Sequence, residues 1–122
     1  MNILESMDQA AQHNRIDYIE ITVRDIARTK AFYSRVFGWE FTDYGPHYTS
    51  FHDGRLAGGF SEGEGEPSRG VLVVMYSSDL EGTLVKVKET GATVTKDIFA
   101  FPGGRRFQFL DPSGHEMAVW SE

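Results

Sequence analysis

At 122 residues, with a net charge of -6 and 40% hydrophobic residues, the chain is sized for one globular domain and has no basic face for nucleic acid or an anionic membrane. The absence of cysteine excludes a disulfide framework, a thiolate metal site and a thiol nucleophile. No apolar run approaches the roughly 18 residues of a membrane span, and no basic-then-apolar leader opens the chain, so a cytoplasmic location is expected. Residues 1–15 hold few large apolar side chains and read as an arm, either a short helix or a loose segment.

From Tyr18 the pattern alternates with a period of two. Ile19, Ile21 and Val23 point one way and Tyr18, Glu20 and Thr22 the other, which predicts a strand. Asp25 stands where its carboxylate caps a helix over Ile26–Phe37, and Gly38 can take the left-handed conformation that ends it. On a helical wheel Ile26, Phe32, Tyr33, Val36 and Phe37 share an arc expected to pack on the Ile19/Ile21/Val23 face. Trp39–Tyr44, Tyr48–His52 and Leu56–Phe60 follow as short strands separated by Gly45-Pro46 and Asp53-Gly54 turns.

After a glycine- and glutamate-rich linker the same order recurs. Val71–Tyr76 reads as a buried strand, Asp79 as a cap, Leu80–Thr90 as a helix closed by Gly91, and Leu80, Leu84 and Val87 as its inner face. Thr93–Phe99, Arg105–Leu110 and His115–Trp120 are three more strands. The reading is an α+β chain of two tandem βαβββ modules: an arm over 1–15, module one over 16–61, a linker over 62–69 and module two over 70–122.

With both modules in view, the chain resembles the vicinal oxygen chelate superfamily of glyoxalases, bleomycin-resistance proteins and extradiol dioxygenases. The matching residues are Val23-Arg24-Asp25, Phe32-Tyr33, Phe37-Gly38-Trp39, Gly91-Ala92, the Phe107–Gly114 turn region and Ala118-Val119-Trp120. The resemblance implies modules whose sheets curl into a cup, and a homodimer. It also implies metal ligands, His or Glu, on the first and last strand of each module. Here those positions map to Tyr18, Gly58, Leu72 and Ala118, with Gly58 found by aligning Gly54 with Gly114. Such a set cannot rebuild a hard-cation site, so no metal and no other cofactor is expected.

By strand alternation Tyr18, Glu20 and Thr22 line the cup, joined by Arg106 and Gln108, which alternate with Phe107 and Phe109. Tyr48, Tyr76 and Trp120 are candidate aromatic walls for a flat ligand, or equally plain core filling. Glu20 is the candidate catalytic base, its ordinary alternative being a carboxylate satisfied by Arg106 or Gln108. The four histidines have no partner spacing for a metal and read as surface or turn residues. The function expected is metal-free binding of a small organic molecule, as in drug or toxin sequestration. The alternatives are a glyoxalase-like lyase or isomerase, and an interaction module whose cup is filled by its own side chains.

Overall fold

The structure is a computed structural model that describes residues 9–64 and 70–122. Residues 1–8 of the expected arm and 65–69 of the expected linker lie outside these. The described elements are β1 (Arg15–Val23), α1 (Ile26–Phe37), β2 (Glu40–Asp43), β3 (Tyr48–His52), β4 (Ala57–Glu62), β5 (Val71–Tyr76), α2 (Leu80–Glu89), β6 (Val94–Phe101), β7 (Gly104–Leu110) and β8 (Glu116–Ser121). The chain is α+β and writes strand, helix and three strands twice. It divides into two compact units, one spanning Tyr18–Leu72 and the other joining the residues up to Asp17 to Val73–Glu122.

In the first unit the strand order is β2-β3-β4-β1. The β4–β1 pair is parallel and the other two pairs are antiparallel. Asp25 accepts the Arg28 backbone N–H at 3.0 Å and so caps α1. Gly38 ends the helix at φ 72°, a left-handed turn that a side chain would strain. The core is a stack of rings. Tyr33 of α1 lies 4.6 Å from Trp39, Trp39 4.7 Å from Phe51, and Phe51 5.0 Å from Phe60, which is fully buried. Burying a phenylalanine of this kind is worth about 1.5–3 kcal/mol.

The α1 packing departs from the helical-wheel expectation. Phe32, Val36 and Phe37 are 54%, 55% and 59% exposed, because Tyr33 makes the ring contacts to Trp39 and Phe60 that seat the helix. Phe32 and Phe37 instead pack edge-on against each other at 6.3 Å along the helix surface.

In the second unit the order is β5-β8-β7-β6, with β5–β8 parallel and the other pairs antiparallel. Asp79 caps α2 by accepting the Gly82 N–H at 3.0 Å. Leu80, Phe107 and Val119 form the core, with Met75, Leu84, Val87, Ile98 and Phe109 packed around them. In this unit α2 therefore covers the Met75/Phe107/Val119 side of the sheet, as alternation predicted, and leaves the other side without a helix. The arm is held here as well: Asn14 donates its backbone N–H to the Tyr76 carbonyl at 2.8 Å. Of the arm, expected as either a short helix or a loose segment, Gln9 and Ala10 are helical, and His13 and Asn14 are fastened to Ser78 and Tyr76. No helix among the described residues is long and apolar enough to cross a membrane.

Candidate functional site

Strand β4 lies between β3 and β1, and on its helix-free side it carries Gly59, paired with Ser50 of β3 and Glu20 of β1. Tyr48 of β3 and Tyr18 of β1 lean over that glycine from opposite sides and meet with their hydroxyl oxygens 2.5 Å apart. A Cβ at position 59 would stand 1.9 Å from the Tyr48 hydroxyl and 2.6 Å from that of Tyr18. The two phenols can close over the strand only because it has no side chain there. The Tyr48 hydroxyl also reaches Glu20 Oε2 at 3.4 Å, and Ser50 donates to the Gly58 carbonyl at 3.1 Å.

Because a carboxylate has no proton to give, Tyr48 is the donor in its long contact to Glu20, while between the two phenols either hydroxyl can donate. Burial raises both phenols above the ordinary tyrosine value; for Tyr48 the Tyr18 hydroxyl and the Glu20 charge add to the rise. Both therefore stay protonated at neutral pH. Tyr18, Glu20 and Tyr48 are brought together as strand alternation and aromatic content suggested. Thr22 is not: it is exposed at the far end of β1, its backbone N–H held by the Gly70 carbonyl at 2.6 Å.

Gly58 needs a correction. Its Cβ position would fall 2.1 Å from the Phe51 ring, on the side where Phe60 and the ring stack lie. The residue sharing the Glu20 face is Gly59, just as Ala118 pairs with Val74 in the second unit. The turn after Gly54 is one residue longer than the turn after Gly114, and a slip of one residue turns a strand position to the opposite face. The loop difference cannot be seen until the register is known.

On the helix-free side of the second unit, cross-strand pairing sets Phe99, Arg106, Trp120 and Tyr76 in one row over β6, β7, β8 and β5. The Arg106 guanidinium lies over the Phe99 ring at 5.3 Å and the Phe101 ring at 5.9 Å. Trp120 meets Tyr76 edge-on at 5.3 Å and Phe101 at 6.4 Å. In the next row Gln108 pairs with Ala118; Gln108 is buried, and its amide oxygen has no hydrogen-bond partner among the described residues. Leu72 alternates onto the same side of β5 as Val74 and Tyr76.

Two polar anchors escaped the sequence reading. Asp17 accepts the Trp120 indole N–H at 2.9 Å and the Gln9 amide at 3.2 Å. His13 accepts the Ser78 backbone N–H at 2.9 Å. The only sequence signal for Asp17 was a carboxylate next to the first strand residue, and its partner is a hundred positions away. The other histidines sit as expected: His47 pairs with Glu62 at 2.8 Å and His115 with Asp111 at 3.0 Å, both at the surface. A separate open cleft of about 430 Å³ at the N-terminal end of α1 is lined by Arg24, Lys30, Asp43 and Glu62 among others. None of the candidate ligand-binding, catalytic or metal-position residues borders it.

The sequence model described as "Glyoxalase/Bleomycin resistance protein/Dioxygenase superfamily" matches residues 15–119. Solved structures of the same fold include a glyoxalase/bleomycin resistance protein/dioxygenase superfamily member from Vibrio splendidus, with 16% identity, TM-score 0.70 and coverage of 88% of this chain and 98% of that one. Another is the Mn(II)-bound glyoxalase from Novosphingobium aromaticivorans, with 23% identity and TM-score 0.67 over 90% of this chain but 39% of that one. A methylmalonyl-CoA epimerase in complex with methylmalonyl-CoA and NH4+ aligns with 18% identity, TM-score 0.66 and coverage of 90% and 95%. At these identities the likeness is one of fold. No curated protein matches the chain.

Proposed function

The chain belongs to the glyoxalase/bleomycin resistance protein/dioxygenase superfamily, and from that premise we propose a cytoplasmic, metal-independent protein that binds a small planar organic molecule on the helix-free face of the second unit. The observation that carries this reading is the row of Phe99, Arg106, Trp120 and Tyr76. Flat rings with a guanidinium among them offer stacking area and a polar handle at low entropic cost. Drug or toxin sequestration suits such a face, since holding a molecule requires no reacting group.

The donor chemistry supports the metal-independent part. With the register corrected, the family's ligand positions hold Tyr18, Gly59, Leu72 and Ala118. Of these only Tyr18 has a side-chain heteroatom, and Tyr48 already engages it. Among the described residues no group of three or more His, Cys, Asp or Glu side chains converges. These residues do not fit a divalent ion, which takes imidazoles and carboxylates. Equilibrium dialysis of chelator-treated protein against a panel of aromatic compounds tests the reading. Saturable binding unchanged by chelation and weakened roughly 10-fold in Trp120→Ala is expected. Stoichiometric tight metal, or no compound bound by the wild type, would overturn it.

A second reading has its own observation, the Glu20 carboxylate at the end of the Tyr18–Tyr48 chain. With Glu20 as general base and Tyr18 positioning the substrate, the protein would be a lyase or isomerase of a small metabolite. Glu20→Gln would then abolish turnover and spare binding; unchanged turnover removes Glu20 from the chemistry. The exposed Phe32, Val36 and Phe37 on α1 support a homodimer, for which light scattering at micromolar protein is the measurement.

A further inference from the structure

We propose that Gln108 sets the specificity of the aromatic-row site: its buried amide oxygen accepts a hydrogen bond from a ring N–H or phenolic O–H of the bound molecule. The ligand class narrows to planar aromatic compounds that carry such a donor. This inference rests on the aromatic row being the binding face.

Gln108 is 3% exposed, and its amide oxygen has no hydrogen-bond partner among the described residues. A buried acceptor in that state carries its full desolvation penalty, and few native groups are left so. Nothing beside it in the sheet supplies a donor. Its cross-strand partner on β8 is Ala118, whose methyl has no proton to give. Its partner on β6 is Lys96, whose ammonium lies over the Phe99 ring, 5.8 Å from the centroid. Strands β7 and β8 are both interior to the sheet of this unit, so their backbone N–H groups are committed to the ladders.

Position joins this acceptor to the row. Gln108 and Arg106 are two residues apart on β7, as Ala118 and Trp120 are on β8, so all four share the helix-free side. Two residues of strand span roughly 6.6 Å, a distance that a fused two-ring compound bridges. A ring stacked on Trp120 can therefore bring a donor on its far edge to the Gln108 amide. Because that oxygen is screened from bulk water, a bond made there counts for more than one at the surface.

Indole and benzofuran are the probes, a matched pair in which a ring N–H is exchanged for an oxygen. Equilibrium dialysis gives their affinities, and NMR of nitrogen-15-labelled indole reports the bound N–H. The wild type is expected to hold indole roughly 10-fold more tightly than benzofuran. Gln108→Met, which keeps the length and removes the amide, should weaken indole alone and erase the preference. The bound N–H proton should lie further downfield in the wild type than in this variant. Trp120→Ala should weaken both probes alike. Equal affinities in the wild type, with both lowered by Trp120→Ala, overturn the role of Gln108 and leave the aromatic row standing. Tighter binding of benzofuran also overturns it, since the amide then presents its N–H. A preference that survives in folded Gln108→Met does the same; if that variant does not fold, the wild-type preference decides. Failure of the wild type to bind either probe removes the row and this inference together.

Discussion

The hydroxyl oxygens of Tyr18 and Tyr48 lie 2.5 Å apart over Gly59, a residue of the strand between them. Two side chains from strands that are not neighbours thus touch across a third strand. Each must cross an interstrand spacing of about 4.8 Å, which a phenol can do and a shorter polar side chain cannot.

Gly59→Ala is expected to destabilise the protein by about 1–3 kcal/mol, because the added methyl has nowhere to go without displacing both rings. Pairing it with Tyr48→Ala should recover much of that loss, giving clear non-additivity. Urea unfolding of the single and double variants is the measurement. A Gly59→Ala protein as stable as wild type would mean that the phenols do not close over this residue.

The tyrosines carry a pH signature of their own. Folding raises Tyr18 and Tyr48 above the ordinary value of 10.0. A group with a raised folded value contributes stability that is complete below its unfolded value and is lost as pH rises through the folded one. Ultraviolet titration should therefore show three of the five tyrosines, these two and Tyr76, lagging past pH 10.0, with Tyr18 and Tyr48 ionising with alkaline unfolding. Tyr48→Phe should remove one lagging phenol and leave Tyr18 lagging further, since the Tyr48 hydrogen bond opposes the rise that burial causes.

Asp17 holds the Trp120 indole and the Gln9 amide together. Asp17→Ala should cost about 1.5–3 kcal/mol, the worth of hydrogen bonds to a charged acceptor. It should also shift Trp120 emission to longer wavelength as the indole N–H turns to water. Amide exchange at Asn14 should quicken in the same variant, because the arm is then pinned chiefly by His13 and the Asn14 bond to Tyr76. An unchanged emission spectrum would show that the indole keeps its place without the carboxylate.

Asp43 gives the acid side. Lys30 at 2.7 Å and the Thr49 hydroxyl at 2.8 Å pull its carboxyl below the ordinary 3.8. A depressed carboxyl contributes stability present above its unfolded value and lost as pH falls through the folded one. The difference in melting temperature between wild type and Asp43→Asn should be steady near neutrality and shrink below 3.8. A constant difference across that range would remove the carboxylate charge as its source.

Much of this fold was legible in the chain because its signals are local. Asp25 and Asp79 announce caps, Gly38 announces a helix end, and alternation from Tyr18 to Val23 separates a packed side from an open one. Ring packing was less legible. The wheel put Phe32, Val36 and Phe37 on the inner face of α1, and the structure leaves them exposed, since Tyr33 is the α1 ring that meets both Trp39 and Phe60 while Phe37 reaches only the Trp39 edge of the stack at 6.1 Å. Gly58 was misassigned for a related reason: counting along the chain cannot detect one extra residue in a hairpin turn, and that residue reverses the face.

The sequence by itself determined the repeated strand–helix–strand order, the family and the absence of thiol chemistry, because caps, periodicity and composition act between residues close in the chain. Tertiary structure alone decided that Gly59 is the saddle for two phenols, that Asp17 fastens Trp120, and that four aromatic and cationic side chains fall into one row. Those outcomes depend on strand order and register, which bring together groups tens of residues apart whose mutual distance no local pattern encodes.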